Sequence, residues 1–263
     1  MNYKHIILTR FNLQYDLQSN IHIQDSWLEE RFRLFEQYCF PSIIAQTNQQ
    51  FDWVILVSDQ TPKNYLSRLA KHTNSHLNIY IELCTYYEDV NVLYNNIGEK
   101  YVHGYDYLLS TRVDNDDMLA KDFVETLQKL LPATHASAVL TFTNGIQWFE
   151  HKDMAFAVAY DRNHFLSFWE EKQNIRTSLG IDPTKVQSKN LIKLHKPFMW
   201  CEIVHENNIS NGYVPKYRYS LEVTTDAYPI DIVTNKIKQC WFLICEHIQF
   251  RHHQALHFLT KLS

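Results

Sequence analysis

Glycine is scarce in this chain: five residues in 263, the first of them Gly98. The N-terminal half therefore has no G-x-G-x-x-G and no Walker-type loop, and a backbone cradle for phosphate of either kind is excluded there. Cysteine is sparse and odd in number, at Cys39, Cys84, Cys201, Cys240 and Cys245, with no C-x-x-C pair. That argues against a disulfide framework or a structural zinc site and predicts buried free thiols in a reducing cytoplasm. No apolar run approaches the ~20 residues of a membrane span. The opening MNYKHIILTR has only Ile6 to Leu8 as an apolar core, too short for a signal peptide. Positive charge is nowhere massed. The net charge is −4 with Lys and Arg dispersed, so no nucleic-acid partner is expected.

What the chain has is apolar and aromatic residues, 45% and 14% of the total. That suffices for one large α/β core. His5–Leu8 reads as a strand. Ser26-Trp27-Leu28-Glu29 has capping-box spacing, and Leu28, Phe32, Phe35 and Cys39 form a helical stripe that Pro41 breaks or restarts. Phe51–Val57 is a second buried strand. Thr61-Pro62 reads as an N-cap with proline at the first helical position, leading into Tyr65, Leu66 and Leu69. Asn78–Leu83 is a third strand, and Leu93, Ile97 and Tyr101 mark the next helix. Strand and helix alternate, so a mostly parallel sheet with crossover helices follows, and its ligands belong beyond the carboxyl ends of the strands. Further on, Ser137–Thr143 and Ala155–Tyr160 read as strands. Asn163 could cap a helix carrying Phe165, Leu166 and Trp169; 172–197 reads as a loop; and a helical period begins near residue 234 with Ile237, Trp241, Ile244 and Ile248.

The chemistry concentrates at Tyr105–Leu119, YDYLLSTRVDNDDML. Its first half is a buried strand by composition, and its second half packs Asp114, Asp116 and Asp117 into four residues, with a helical segment expected next. Like charges this close repel unless something positive sits between them, and a hard divalent cation with Asp oxygens as ligands does that. With a glycine cradle excluded, a metal and basic side chains remain the means of holding a diphosphate, and Arg10 and Arg112 suit phosphate. The competing reading is a solvated turn that caps the next helix electrostatically. A calcium-hand loop is rejected because Met118 and Leu119 stand where an oxygen ligand and a glycine are needed.

Thr9-Arg10-Phe11-Asn12, Arg31-Phe32-x-Leu34-Phe35-Glu36, Phe51-x-Trp53 and Thr111-Arg112-x-Asp114-Asn115-Asp116-Asp117, in that order and spacing, resemble the putative rhamnosyltransferase family. That is a branch of the GT-A type glycosyltransferases. The likeness is densest over residues 5–125, and Trp200–Asn208 extends it. It implies an α/β fold of GT-A type (Rossmann-like), a mostly parallel sheet flanked by helices, with a C-terminal helical segment. The whole chain, 1–263, would be a single glycosyltransferase domain: a nucleotide-sugar-binding half (1–132), an acceptor-side half (133–234) and a C-terminal helix (235–263). The expected reaction is transfer of a sugar such as rhamnose from a nucleotide-diphosphate donor to a glycan or lipid-linked acceptor in surface polysaccharide synthesis.

The same resemblance implies Mn²⁺ or Mg²⁺ on Asp116, with Asp114 at the ribose or a metal-bound water and a C-terminal histidine, here His205, completing the site. Thr9, Arg10, Asn12, Asp59 and Arg112 would contact the donor. Inversion at the sugar carbon would need a general base, Glu202 or else Asp153, and on a helix Glu202 and His205 would share a face. Trp148 and Trp200 could floor the acceptor sugar. The expected setting is cytoplasmic, peripheral at the inner membrane face if the aromatic and basic C-terminal helix docks there. A non-catalytic sugar-nucleotide or glycan-binding domain on the same fold is the alternative. A nucleotidyltransferase is disfavoured because Leu8–Asn12 lacks its glycine-rich signature.

Overall fold

Ile6, Ile7 and Leu8 have almost no solvent exposure because the strand that carries them, β1 (Tyr3–Arg10), lies between two parallel neighbours with helices on both faces. An apolar run without alternation is what such a strand requires. The computed structural model describes residues 1–131, 137–187, 191–205, 214 and 218–246. After β1 come α1 (Asp25–Leu34), a π-helical turn (Phe35–Cys39) and α2 (Phe40–Ile44), which together form one continuous helix. Then follow β2 (Asp52–Ser58), α3 (Lys63–Thr73), β3 (Ile79–Cys84), α4 (Val90–Val102), β4 (Tyr107–Arg112), the short β5 (Met118–Leu119) and α5 (Phe123–Lys129). The remaining strands are β6 (Ala138–Phe142), β7 (Asn144–Phe149), β8 (Met154–Ala159), β9 (Ser167–Glu171), β10 (Leu191–Leu194), β11 (Trp200–Val204) and β12 (Arg218–Ser220). A helix occupies 236–246.

The main sheet has seven strands in the order β10-β6-β9-β4-β1-β2-β3. Every pairing is parallel except those of β9, which runs against both β4 and β6. The fold is thus α/β with a mixed, mostly parallel sheet, as expected. A second sheet, β12-β8-β7-β11-β5, packs beside it. Its β7 and β11 are parallel, with Gln147 opposite Glu202. The main core joins both sheets through Trp53, Trp169, Trp200, Phe32, Phe35 and Phe123, each at most 1% exposed. Burying one such side chain contributes on the order of 2–3 kcal/mol.

Several local expectations are corrected. The Ser26 capping box does not form: α1 starts at Asp25, with Gln24 as an N-cap that makes no side-chain bond. The proline of Thr61-Pro62 is itself the N-cap, and Thr61 Oγ1 donates to Ser58 O at 2.7 Å. Pro41 does not break the first helix. Its ring would collide with a carbonyl one turn back, and the wide π turn just before it makes room. The short β5, not a helix, directly follows the acids. Asn144–Trp148, left unassigned from sequence, lies in β7. Phe168 and Trp169 lie in strand β9 rather than a helix, and β10 falls inside the expected 172–197 loop. Trp200–Val204 is also a strand, so the helical face expected for Glu202 and His205 does not exist.

The helix over 236–246 covers the outer face of the second sheet with Phe242 and Leu243. It leaves Ile237, Trp241 and Ile244 exposed. Pro132, Ile248 and the histidines from His247 onward lie outside the described residues. Among the described residues, no helix is long and apolar enough to cross a membrane.

Candidate active site

Strands β1, β2 and β4 are parallel, so Arg10, Ser58 and Arg112 all end at one rim of the sheet. The chain leaving β4 is pinned there. Val113 is fully buried, and Val113 N–H donates to Leu8 O. Asn115 Nδ2 donates to Phe11 O at 2.8 Å, and Asp117 Oδ1 accepts from Ile203 N–H at 2.9 Å. The three aspartates therefore stand on a fixed loop between the two sheets.

Each aspartate has a different counter-group. Asp114 accepts from Arg112 at 2.6 Å and from Arg10 at 3.0 Å. Burial would raise its pKa, but the two guanidinium groups outweigh burial and hold the carboxyl well below the usual range. Asp116 pairs with Arg31 of α1 at 2.9 Å, and its same oxygen lies 3.1 Å from His205 Nε2. Arg31 in turn stacks over the Trp27 ring at 5.0 Å. Asp117 lies against His164 Nε2 at 2.7 Å. Burial, reinforced by Asp116 and Asp114, pushes the Asp117 carboxyl well up, and burial pushes the His164 imidazole down. The two side chains face each other across that 2.7 Å contact, each with its charged form disfavoured by burial.

Glu202 stands beside this pair, 4% exposed, with Oε1 3.9 Å from His164 Nδ1. Gln147 Nε2 donates to its Oε2 at 2.6 Å, and the Tyr160 hydroxyl reaches the same oxygen at 3.5 Å. Burial raises the Glu202 pKa to about 6 against the pull of His164. A carboxylate of that basicity suits proton abstraction near neutral pH.

A divalent cation fits this rim. One ligand atom each from Asp114, Asp117 and His164 lies within 4.8 Å of the others. Two carboxylates and an imidazole are a donor set that Mn²⁺ accepts readily and Mg²⁺ less so.

The expected site residues divide. Arg10, Arg112, Asp114, Asp116, His205 and Glu202 are brought together at the rim. Thr9 is fully buried and accepts from Trp53 Nε1 at 2.9 Å, a contact within the core. Asn12 is likewise consumed: its amide donates to His22 O and Thr61 Oγ1 and its oxygen accepts from Ser58 N–H. Asp59 is exposed at the end of β2. Asp153 sits in the turn between β7 and β8, paired with Lys238 at 2.9 Å. Trp200 is fully buried and stacked on Phe165, and Trp148 is buried against Tyr38; neither offers a ring face to a sugar.

Sequence reasoning counted Asp117 among the clustered acids that could hold a cation without giving it a position of its own, read Arg31 only as part of a helix motif, and missed His164 and Gln147. His164 reaches the rim because β9 is antiparallel, so the residues preceding it lie at the edge where the other strands finish. Only the alternation of a reversed strand, hidden by two-sided burial, could have signalled that.

Fold and rim together define an α/β protein with a cluster of charged side chains beyond the carboxyl ends of its parallel strands. Within that class the chain belongs to the glycosyltransferase family described as "Putative rhamnosyl transferase", whose model matches residues 8–216. No curated protein matches the chain. Among solved structures it is similar to S. aureus TarS 1-349, with 12% identity over 77% of this chain and 60% of that one, at a TM-score of 0.45. The same protein in complex with UDP overlaps 78% of this chain and 61% of that one, with 12% identity and a TM-score of 0.43. The mannosyltransferase PcManGT from Pyrobaculum calidifontis, in complex with GDP-Man and Mn²⁺, gives 11% identity over 78% of this chain and 58% of that chain, at a TM-score of 0.42. The chain thus spans about three fifths of the length of these structures.

Proposed function

We propose that this chain is a metal-dependent, inverting glycosyltransferase of GT-A type. Its reaction moves a sugar, rhamnose by the family's description, from a nucleotide-diphosphate donor to a glycan or lipid-linked acceptor. The observation that carries the reading is the pairing, on one rim, of a cation-compatible Asp114–Asp117–His164 set with a buried carboxylate, Glu202, of raised basicity.

Asp114, Asp117 and His164 would hold Mn²⁺ or Mg²⁺, which when bound neutralises charge developing on the departing diphosphate. Arg10 and Arg112 keep Asp114 ionised and add positive charge where the phosphates would lie. Arg31 and His205 hold Asp116 beside that set. Glu202 takes the proton of the acceptor hydroxyl; its Oε2 is engaged by Gln147, which leaves Oε1 for that proton. Burial of Glu202 and Asp117 excludes water from the reacting side.

The test is hydrolysis and transfer across a panel of UDP-, GDP- and dTDP-sugars, with and without Mn²⁺. Metal-dependent turnover of at least one donor is expected. Asp117→Asn should abolish it together with Mn²⁺ binding, and Glu202→Gln should lower it roughly 10²–10⁴-fold to a measurable residue while donor binding by calorimetry persists. Full turnover in the Asp117→Asn chain overturns the metal assignment.

A further inference from the structure

Glu202 is held from behind by a chain of hydrogen bonds whose direction is fixed. Val214 N–H donates to the Tyr219 hydroxyl oxygen at 2.9 Å. The Tyr219 O–H donates in turn to Gln147 Oε1, which can only accept, at 3.1 Å. An amide that accepts at its oxygen must present its NH₂ on the other side, and Gln147 Nε2 donates to Glu202 Oε2 at 2.6 Å. The geometry suits the task. Gln147 and Glu202 are register partners on adjacent parallel strands, and Gln147 is 2% exposed. Tyr219 reaches Gln147 across β8 while packing on Phe156 at 5.7 Å. Glu202 and Gln147 lie in a buried layer where leaving one partner unpaired is costly.

We propose that Gln147 and Tyr219 form a positioning relay that holds the Glu202 carboxylate as an acceptor, with Oε1 turned to the reacting hydroxyl. This rests on the reading of Glu202 as the general base. Neither relay residue touches the reacting atoms. Gln147 acts by saturating one oxygen of the base, and Tyr219 acts by preventing the Gln147 amide from turning over. A flipped amide would set its oxygen against the carboxylate and repel it.

The experiment has two arms. In a ¹⁵N-labelled full chain, the Gln147 side-chain amide resonance, assigned by its loss in Gln147→Leu, should be slow to exchange. It should shift in both Glu202→Gln and Tyr219→Phe. In the second arm, turnover of the most active donor of the panel with Mn²⁺ is measured in a double-mutant cycle. Gln147→Leu should lower kcat about tenfold or more with donor Kd unchanged within about twofold, and Tyr219→Phe about threefold to tenfold. In the Glu202→Gln background both substitutions should have no further effect. Tyr219→Phe removes a single hydroxyl, so it keeps the test valid if Gln147→Leu folds poorly. An amide resonance that responds to neither partner, or effects that simply add, overturns the relay. Undiminished turnover in Glu202→Gln overturns instead the base assignment beneath it.

Discussion

His5 should make the folded state acid-sensitive by a calculable amount. It sits in β1, 2% exposed, and both ring nitrogens are engaged. Gln128 Nε2 donates to Nδ1 at 3.0 Å, so Nδ1 is the unprotonated acceptor. Nε2–H then donates to Thr111 Oγ1, also at 3.0 Å. A second proton would land on Nδ1, against the Gln128 amide, in a site that cannot solvate charge. Burial accordingly lowers the pKa to about 3, against ~6.5 for an unfolded histidine. The folded value is the depressed one, so the unfolded chain binds the extra proton. The stability due to His5 is complete above about pH 6.5 and is lost as pH falls towards 3.

At pH 5 the loss is roughly 1.5 × 1.36, or about 2 kcal/mol. For a chain of this size that corresponds to a shift in Tm of roughly 4–8 °C. The assay is thermal unfolding of wild type and His5→Gln at pH 7.5 and pH 5. Buried carboxyls of raised pKa, such as Asp117 and Glu170, act in the opposite sense, but both chains share them and they cancel in the difference. The variant pays a fixed, pH-independent cost for the lost ring. Its Tm should then fall by about 4–8 °C less than that of wild type between the two pH values. Parallel curves, or an imidazole resonance for His5 that titrates near 6.5, would refute the reasoning.

Thr9→Val leaves the buried Trp53 Nε1–H without its acceptor and should cost about 1–3 kcal/mol in urea denaturation with donor affinity unchanged; a weakened donor Kd would return Thr9 to the binding site. Gly145→Ala places a Cβ into the Trp200 indole and should destabilise by about 1–3 kcal/mol or more, since the ring is fully buried and has no room to retreat. Arg112→Gln removes a bidentate partner of Asp114 and should weaken donor binding at least tenfold, measured by calorimetry with Mn²⁺ present; an unchanged Kd would show that the arginine serves only its neighbour.

The first half of the fold was legible because its strands are unbroken apolar runs separated by amphipathic helices. Ile6–Leu8 and Val54–Val57 admit few other readings. The second half was harder for a physical reason. Phe165, Leu166, Phe168 and Trp169 are all buried, since β9 lies between β4 and β6 with both faces covered, and that removes the alternation that distinguishes strand from helix. Cys201, Glu202 and Ile203 are buried likewise, so β11 read as a helix. At the rim, the acid cluster was legible because three aspartates fall within four residues, Asp114 to Asp117. His164 and Gln147 were not, because each meets its partner only through pairings between strands distant in sequence. The burial of Trp148 and Trp200 was hidden for the converse reason: composition announces a ring but not which side of a sheet it faces.

The wide turn ahead of Pro41 has a mechanical consequence. Upstream of it, Arg31 grips Asp116; downstream, Ser42 Oγ accepts from Leu119 N–H, and the Gln46 side chain bridges Ala120 O and Val124 N–H. One helix thus clasps the acid loop and its continuation at two points, like the jaws of a caliper, and the extra residue in the turn sets the gauge between them. Deleting a single residue within 35–39 would leave a good helix but turn the downstream jaw by roughly 100°, freeing one end of the loop while the other stays fast.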